Sequence, residues 1–237
     1  MMSEKIQHII STDCRVKAFD CMRRGRRIPF GTFIQVLLYG LFVEPFLFCV
    51  RFFPGSIGVQ LRIWLGQLTL RHLGKCSFIE FGAILDSPRN ISIADYVLID
   101  RHVELDARGG EIVIGRRVHI GVGAHVAGMG GVFVGDYAAI GRNAQVLSHS
   151  EVVDGGKRMS GPMIPEEFKG MKTAPVRLEK DSVVGAGAII LPGVTLGEGA
   201  IAASNSLVIA NVKPGQIVMG VPARPVGVRG PVTVPDM

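Results

Sequence analysis

The side chains in this sequence best able to move a proton or hold a metal are four histidines beyond residue 100: His102, His119, His125 and His149. An imidazole changes charge close to neutral pH, so it can serve as acid, base or ligand. His119 and His125 stand six residues apart, and His149 stands three residues past the aliphatic Val146. Glu151 and Asp154 follow at once, in a stretch without hydrophobic period. The four cysteines, Cys14, Cys21, Cys49 and Cys76, have no metal-ligand spacing. A chain of this size needs no disulfide framework, so they point to a reducing compartment.

What positions these groups is a repeat of six. From Leu178 to Val208 the aliphatics Leu178, Val184, Ile190, Leu196, Ala202 and Val208 recur at that interval, three of them followed by Gly or Ala. This period is neither the helical 3.6 nor the strand alternation of two. It marks a hexapeptide parallel β-helix, each short strand laying one aliphatic into a central core, with small residues at the corners. The same period runs through Ile93, Ile99 and Leu105, then Ile114, Ile120 and Val126, then Val134, Ile140 and Val146. Short insertions fall near Arg108–Gly110 and Gly130–Gly131. The result is five regular turns, with a partial turn expected before them through Ile79 and Ile84. Between Val146 and Leu178 the period breaks at length, which predicts a loop projecting from a rigid scaffold over 148–177.

Composition agrees: 48% hydrophobic residues, 31 glycines and only 19% charged residues suit a glycine-cornered solenoid carrying an apolar segment. The net charge of +6 is unevenly placed, since residues 1–75 carry 11 Lys and Arg against four acidic residues. A short helix is expected over 1–27, ending in the cluster Arg23-Arg24-Gly25-Arg26-Arg27. The apolar run Phe33–Val50 follows, with Gln35, Glu44 and Pro45 inside it. A carboxylate and a helix breaker are costly within a bilayer, which favours a segment lying at the interface over one crossing it. A third piece, Leu61–Leu73, puts Leu61, Trp64, Leu65 and Leu68 on one helical stripe with basic neighbours. The pattern is that of an interfacial anchor drawn to anionic lipid, the alternative being helices that cap the solenoid and bury their apolar faces against it or a neighbouring subunit. No secretory signal is evident, and no nucleic-acid-binding module accompanies the basic cluster. Three regions are thus expected: a basic helical segment over 1–75, a β-helix over 76–212, and a C-terminal segment over 213–237.

The sequence resembles the hexapeptide-repeat acyltransferases, in particular the bacterial sugar and polysaccharide O-acetyltransferase branch. The resemblance rests on IGRNAQVLSHS (Ile140–Ser150), VVGAGAIILPGVTLGEGA (Val183–Ala200) and VKPGQIVMGVPARPV (Val212–Val226), and spans residues 76–226. It implies a left-handed parallel β-helix, an all-β fold that assembles as a homotrimer and takes acetyl-CoA in clefts between subunits. It implies that His149, opening the loop, is the general base that deprotonates a saccharide hydroxyl. Glu151, Asp154 or a main-chain carbonyl would then fix the imidazole tautomer. Ala186 and Ser204, one coil apart, match positions whose backbone lines the pantetheine arm. Arg224, in Gly-Val-Pro-Ala-Arg, matches a residue that meets the nucleotide phosphates, and Lys213 adds to that charge. Two positions depart from the family pattern: Ile209-Ala210 replaces a Thr-Lys pair, and Val183 replaces a common Trp.

The resemblance leaves competitors. An N-acetyltransferase of an amino-sugar nucleotide shares fold and base. A zinc enzyme like the γ-class carbonic anhydrases needs three converging histidines, whereas His119 and His125, six apart, fall on neighbouring faces of one turn. These two are better placed to line an acceptor pocket, and no metal is expected. A non-catalytic solenoid would tolerate loss of His149. The favoured expectation is a trimeric O-acetyltransferase, peripheral on the cytoplasmic face of the inner membrane. Its acceptor would be a saccharide or lipid-linked glycan, with no nucleic-acid partner.

Overall fold

The computed structural model describes residues 14–153, 155–158, 161 and 163–233, and the chain forms two compact units. One comprises the chain up to Val50 together with Glu151–Lys172, and the other comprises Arg51–Ser150 with Thr173 onward.

The larger unit is a parallel β-helix of three faces. On face 1, Leu73, Ile93, Ile114, Val134, Leu178 and Leu196 stand in register. On face 2 the column is Ile79, Ile99, Ile120, Ile140, Val184, Ala202 and Val218. On face 3 it is Leu85, Leu105, Val126, Val146, Ile190 and Val208. Every aliphatic of the five expected turns occupies its predicted column, and from Ile93 to Val208 each is at most 4% exposed. The strands are two or three residues long because only the inward side chain must be apolar before the chain turns.

The first turn differs from expectation by one residue. Leu85, not Ile84, pairs with Leu105 and packs on the core, while Ile84 pairs with Glu104 in an outward column. Leu73, Ile79 and Leu85 therefore keep the interval of six, and a one-residue slip exchanges the two faces of a strand. The C-terminal segment is also more closely tied to the solenoid than expected. Gln216–Gly220 extends face 2 in parallel and then pairs antiparallel with Ala223–Val228.

A helix, α3 (Gly55–Thr69), precedes the first coil in this unit. Its packed face is not the apolar stripe: the buried residues are Gly58, Arg62 and Gly66, while Trp64 and Leu68 are exposed. Gly66 lets the helix approach Leu70, Leu73 and Ile79 closely. The Arg62 guanidinium donates from Nε to the Ile79 carbonyl at 2.8 Å and from Nη1 to the Phe53 carbonyl at 2.9 Å. A buried charge is thus satisfied by main-chain oxygens left open where the solenoid begins.

In the other unit, α1 (Cys14–Arg23) is followed by α2 (Phe30–Phe52), whose 23 residues have a mean hydropathy of 2.0 and are 6% buried over the most apolar window. α2 extends past Val50 by its last two residues. It passes Pro45 without a break through one π-helical turn, Tyr39–Val43. The wider turn accommodates a proline ring that would meet the carbonyl four residues back.

Candidate active site

All the insertions in the repeat fall at one corner. From a face 3 aliphatic to the next on face 1, the interval is 8 residues for Leu85–Ile93, 9 for Leu105–Ile114, 8 for Val126–Val134 and 32 for Val146–Leu178. The excursion that begins at His149 is the largest member of a stack of enlarged corners. Its neighbours in that stack contribute the polar groups around the imidazole.

Ser148 fixes where the excursion starts. It is fully buried; its hydroxyl donates to the Ala127 carbonyl and accepts the Gly130 N–H at 2.8 Å, while its carbonyl accepts the Ala174 N–H at 3.0 Å. The next residue is therefore held on both sides of the stack. His149 is half-buried, and its Nδ1 is buried with no hydrogen-bond partner among the described residues. Burial pushes the imidazole below its ordinary pKa; Asp106 opposes this, and His125 and Arg108 add to it.

Asp106 ends the face 3 strand in register with Ala127, and Arg108 follows it in the three-residue insertion of the same coil. Arg108 grips the carboxylate with Nε at 2.8 Å and Nη2 at 2.6 Å, and its backbone N–H adds a third bond at 2.9 Å. Burial alone would raise the Asp106 pKa, but the Arg108 contacts outweigh it and hold the carboxyl below the usual range. An ionised carboxylate thus stands among the groups acting on His149.

The two coil histidines separate as their spacing requires. His125 lies on face 3, in register with Glu104 and Gln145, and contributes to the field at both His149 and Asp106. His119 lies on face 2, its Nε2 2.9 Å from Asp100 Oδ2. Only His125 shares a face with the strand that leads to His149. Glu151 falls in the smaller unit, and Asp154 lies outside the described residues. Among the described residues no three His, Cys, Asp or Glu side chains converge as metal ligands.

The residues matched to coenzyme binding sit elsewhere on the solenoid. Ala186 and Ser204 are exposed at the corner between faces 2 and 3, one above the other, with the Asn205 N–H bonded to the Ala186 carbonyl at 2.8 Å. Their small side chains leave the backbone of that corner open to a slender ligand. Lys213 and Arg224 are exposed at opposite ends of the C-terminal hairpin: Lys213 precedes Gln216, whereas Arg224 pairs with Met219 near the tip. Four strand residues, about 14 Å, separate the two ends. Val183 is half-buried and faces outward on face 2, and Ile209 is exposed at 49%.

No family model matches the chain. It is 32% identical over 171 residues to a dTDP-4-amino-4,6-dideoxy-D-glucose acyltransferase of Escherichia coli, covering 70% of this chain and 88% of that one. It also resembles AntD, an N-acyltransferase from Bacillus cereus solved with dTDP and 3-hydroxybutyryl-CoA, at 31% identity over 71% of this chain and 88% of that one, with a TM-score of 0.66. A single-residue variant of AntD, solved with dTDP-4-amino-4,6-dideoxyglucose and coenzyme A, gives a TM-score of 0.67. WbbJ of Escherichia coli K12, provisionally named a lipopolysaccharide biosynthesis O-acetyl transferase, is 24% identical over 63% of this chain and 77% of its own length.

Proposed function

The chain belongs to the hexapeptide-repeat acyltransferases, built on the left-handed β-helix, and we propose that it moves an acetyl group from acetyl-CoA to a saccharide hydroxyl. The observation that carries this reading is the half-buried imidazole of His149, fixed at the root of the excursion by Ser148 and facing the field of an ionised Asp106. Burial keeps the ring neutral at neutral pH, the form that can take a proton. With Nδ1 enclosed, Nε2 takes the hydroxyl proton as the oxygen attacks the thioester carbonyl. The C–O bond forms, the C–S bond breaks, and the thiolate of coenzyme A leaves with the proton returned from the imidazolium. Ala186 and Ser204 would hold the pantetheine arm along the open corner, and Arg224, with Lys213, would meet the nucleotide phosphates. We place the acceptor cleft on face 3, with His125 as its wall. The functional assembly is a homotrimer held at the cytoplasmic surface of a membrane by α2.

A second reading has its own support. The E. coli and B. cereus relatives are named for acyl transfer to an amino sugar or for N-acylation, and AntD was solved with a longer acyl-CoA. An amine acceptor attached to a nucleotide would use the same base and donor corner. The test is thiol release from acetyl-CoA by wild type and His149→Ala, against glycans, lipid-linked glycans and dTDP-amino sugars. Acceptor-dependent release that collapses in the variant supports the transferase and its base. A product cleaved by hydroxylamine is an ester, and a resistant one is an amide. Equal background in both proteins with every acceptor would overturn both readings.

A further inference from the structure

Glu151–Lys172 belongs to the same compact unit as the N-terminal helices, and this excursion carries a cationic cavity. Arg24 forks onto Glu167, with Nη1 to Oε1 at 2.9 Å and Nη2 to Oε2 at 3.1 Å. Lys157 Nζ donates to the Glu167 carbonyl at 2.9 Å, and the Arg158 N–H donates to the Phe168 carbonyl at 2.9 Å. Beside these bonds lies a cavity of about 690 Å³ lined by Gly155, Gly156, Lys157, Arg158, Ile164 and Phe168. Gly155 turns the chain at φ +80°, a conformation that opens the loop without a side chain in the way. Its lining thus includes two cations and two apolar side chains.

The charge around it is one-sided. Residues 14–50 and 151–172 hold ten Lys and Arg against six Asp and Glu. Ion pairs inside the unit join three of those acids to three arginines, Asp20 to Arg23 and Arg24, Glu167 to Arg24 and Glu44 to Arg15, which leaves the excess of four cations unchanged. The same unit exposes apolar side chains along α2, with Phe30 at 79% and Phe42 at 69%. Lys and Arg together recognise phosphate oxygens, and an apolar wall beside them suits a phosphate that carries a lipid.

We propose that this cavity binds the phosphate or diphosphate ester of the acceptor through Lys157 and Arg158, with Ile164 and Phe168 against the adjoining apolar part. The exposed apolar helix in the same unit favours a polyprenyl-type lipid as the carrier, and a nucleoside diphosphate offers the same oxygens from solution. Gly155 follows His149 by six residues, so the chain itself keeps the two within about 20 Å. A site here would tether the carrier end of an acceptor while its sugar reaches the base. The role of the bound group rests on the transferase reading; the binding itself does not.

The test measures binding without catalysis. Full-length protein is sedimented with phosphatidylcholine vesicles that contain polyprenyl diphosphate or phosphatidylglycerol, and inorganic pyrophosphate and dTDP are added as competitors. The wild type is expected to prefer the diphosphate lipid and to be displaced by pyrophosphate. Lys157→Gln/Arg158→Gln should weaken that preference about tenfold or more, the loss expected for two charged contacts. The charge-preserving Lys157→Arg/Arg158→Lys pair should retain it, which separates a lost contact from a misfolded loop. Displacement by dTDP well below the pyrophosphate concentration would assign the site to a sugar nucleotide, with the phosphate chemistry upheld. Equal binding of phosphatidylglycerol, or an unchanged affinity in the Gln pair, would overturn the proposal. Absence of acyl transfer alongside intact, variant-sensitive binding would count against the transferase reading and leave the site standing.

Discussion

His149 draws its character from neighbours that are remote in sequence. Its pKa lies below the ordinary 6.5 because it is buried, and Asp106 partly offsets that while Arg108 and His125 reinforce it. A base must be neutral to act, so kcat/KM should fall as pH drops through this lowered pKa and stay level at neutral pH. Asp106→Asn removes the charge that supports the imidazolium, so the acid limb should move to lower pH. Arg108→Gln removes an opposing charge and frees the carboxylate, so the limb should move to higher pH. Opposite shifts in the two pH profiles would establish the coupling, and coincident profiles would refute it. His149→Ala itself should lower kcat by about 10²- to 10⁴-fold with the fold intact, as judged by circular dichroism. His149 stands out in the sequence because it opens the one long break in the period. Asp106, Arg108 and Ser148 were not, because their meaning depends on which corners stack, and that is a property of register across 20 residues or more. His119 and His125 were separable by spacing alone, since six residues is one face of the solenoid.

At the scale of the element, the solenoid was the most legible part, because one inward aliphatic per strand leaves little for tertiary context to override. The failure was at the first coil, where no earlier repeat fixes the phase and Ile84 and Leu85 are both apolar. The two make a direct test of the register. Leu85→Ala should cost about 2–3 kcal/mol, toward the lower end for a buried leucine because the coil is terminal. Ile84→Ala should cost under about 1 kcal/mol, as an outward residue beside Glu104. Urea midpoints measured on both variants would decide it, and equal losses would mean that the column starts at neither residue. In the middle of the stack, Ile140→Ala should reach about 2–5 kcal/mol, since that side chain is 1% exposed and enclosed by coils on both sides. The α3 helix packs by residues that hydrophobic spacing does not pick out. Its apolar stripe keeps Trp64 and Leu68 exposed, and Gly58, Arg62 and Gly66 pack instead, because close backbone approach and main-chain acceptors for one guanidinium decide the orientation.

For the whole molecule, the proposed membrane attachment rests on a 23-residue apolar helix. At 1.5 Å per residue α2 is about 35 Å long, enough to cross a hydrocarbon core of about 30 Å. Its partner argues against crossing. Arg15 on α1 reaches Glu44 at 3.8 Å and lies over the Tyr39 ring at 4.4 Å, so the charged helix α1 runs beside the middle of α2. An ion pair and its polar helix at mid-span would have to leave water, at a cost of several kcal/mol for each ion. Lying flat, the same pair keeps α1 and Arg23–Arg27 toward the headgroups while Phe30, Phe33, Leu41 and Phe42 enter the acyl boundary. The expected outcome is full-length protein in the membrane fraction of cells, released by alkaline carbonate. Retention after carbonate would mean a crossing helix, and a soluble full-length protein would exclude the membrane role altogether. Leu41→Asp/Phe42→Asp should move the protein to the soluble fraction while its β-sheet circular dichroism and its mass by light scattering stay unchanged. That separation is expected because the two substitutions lie in the unit of α1 and α2, whereas the core of the solenoid is built from Leu70 onward.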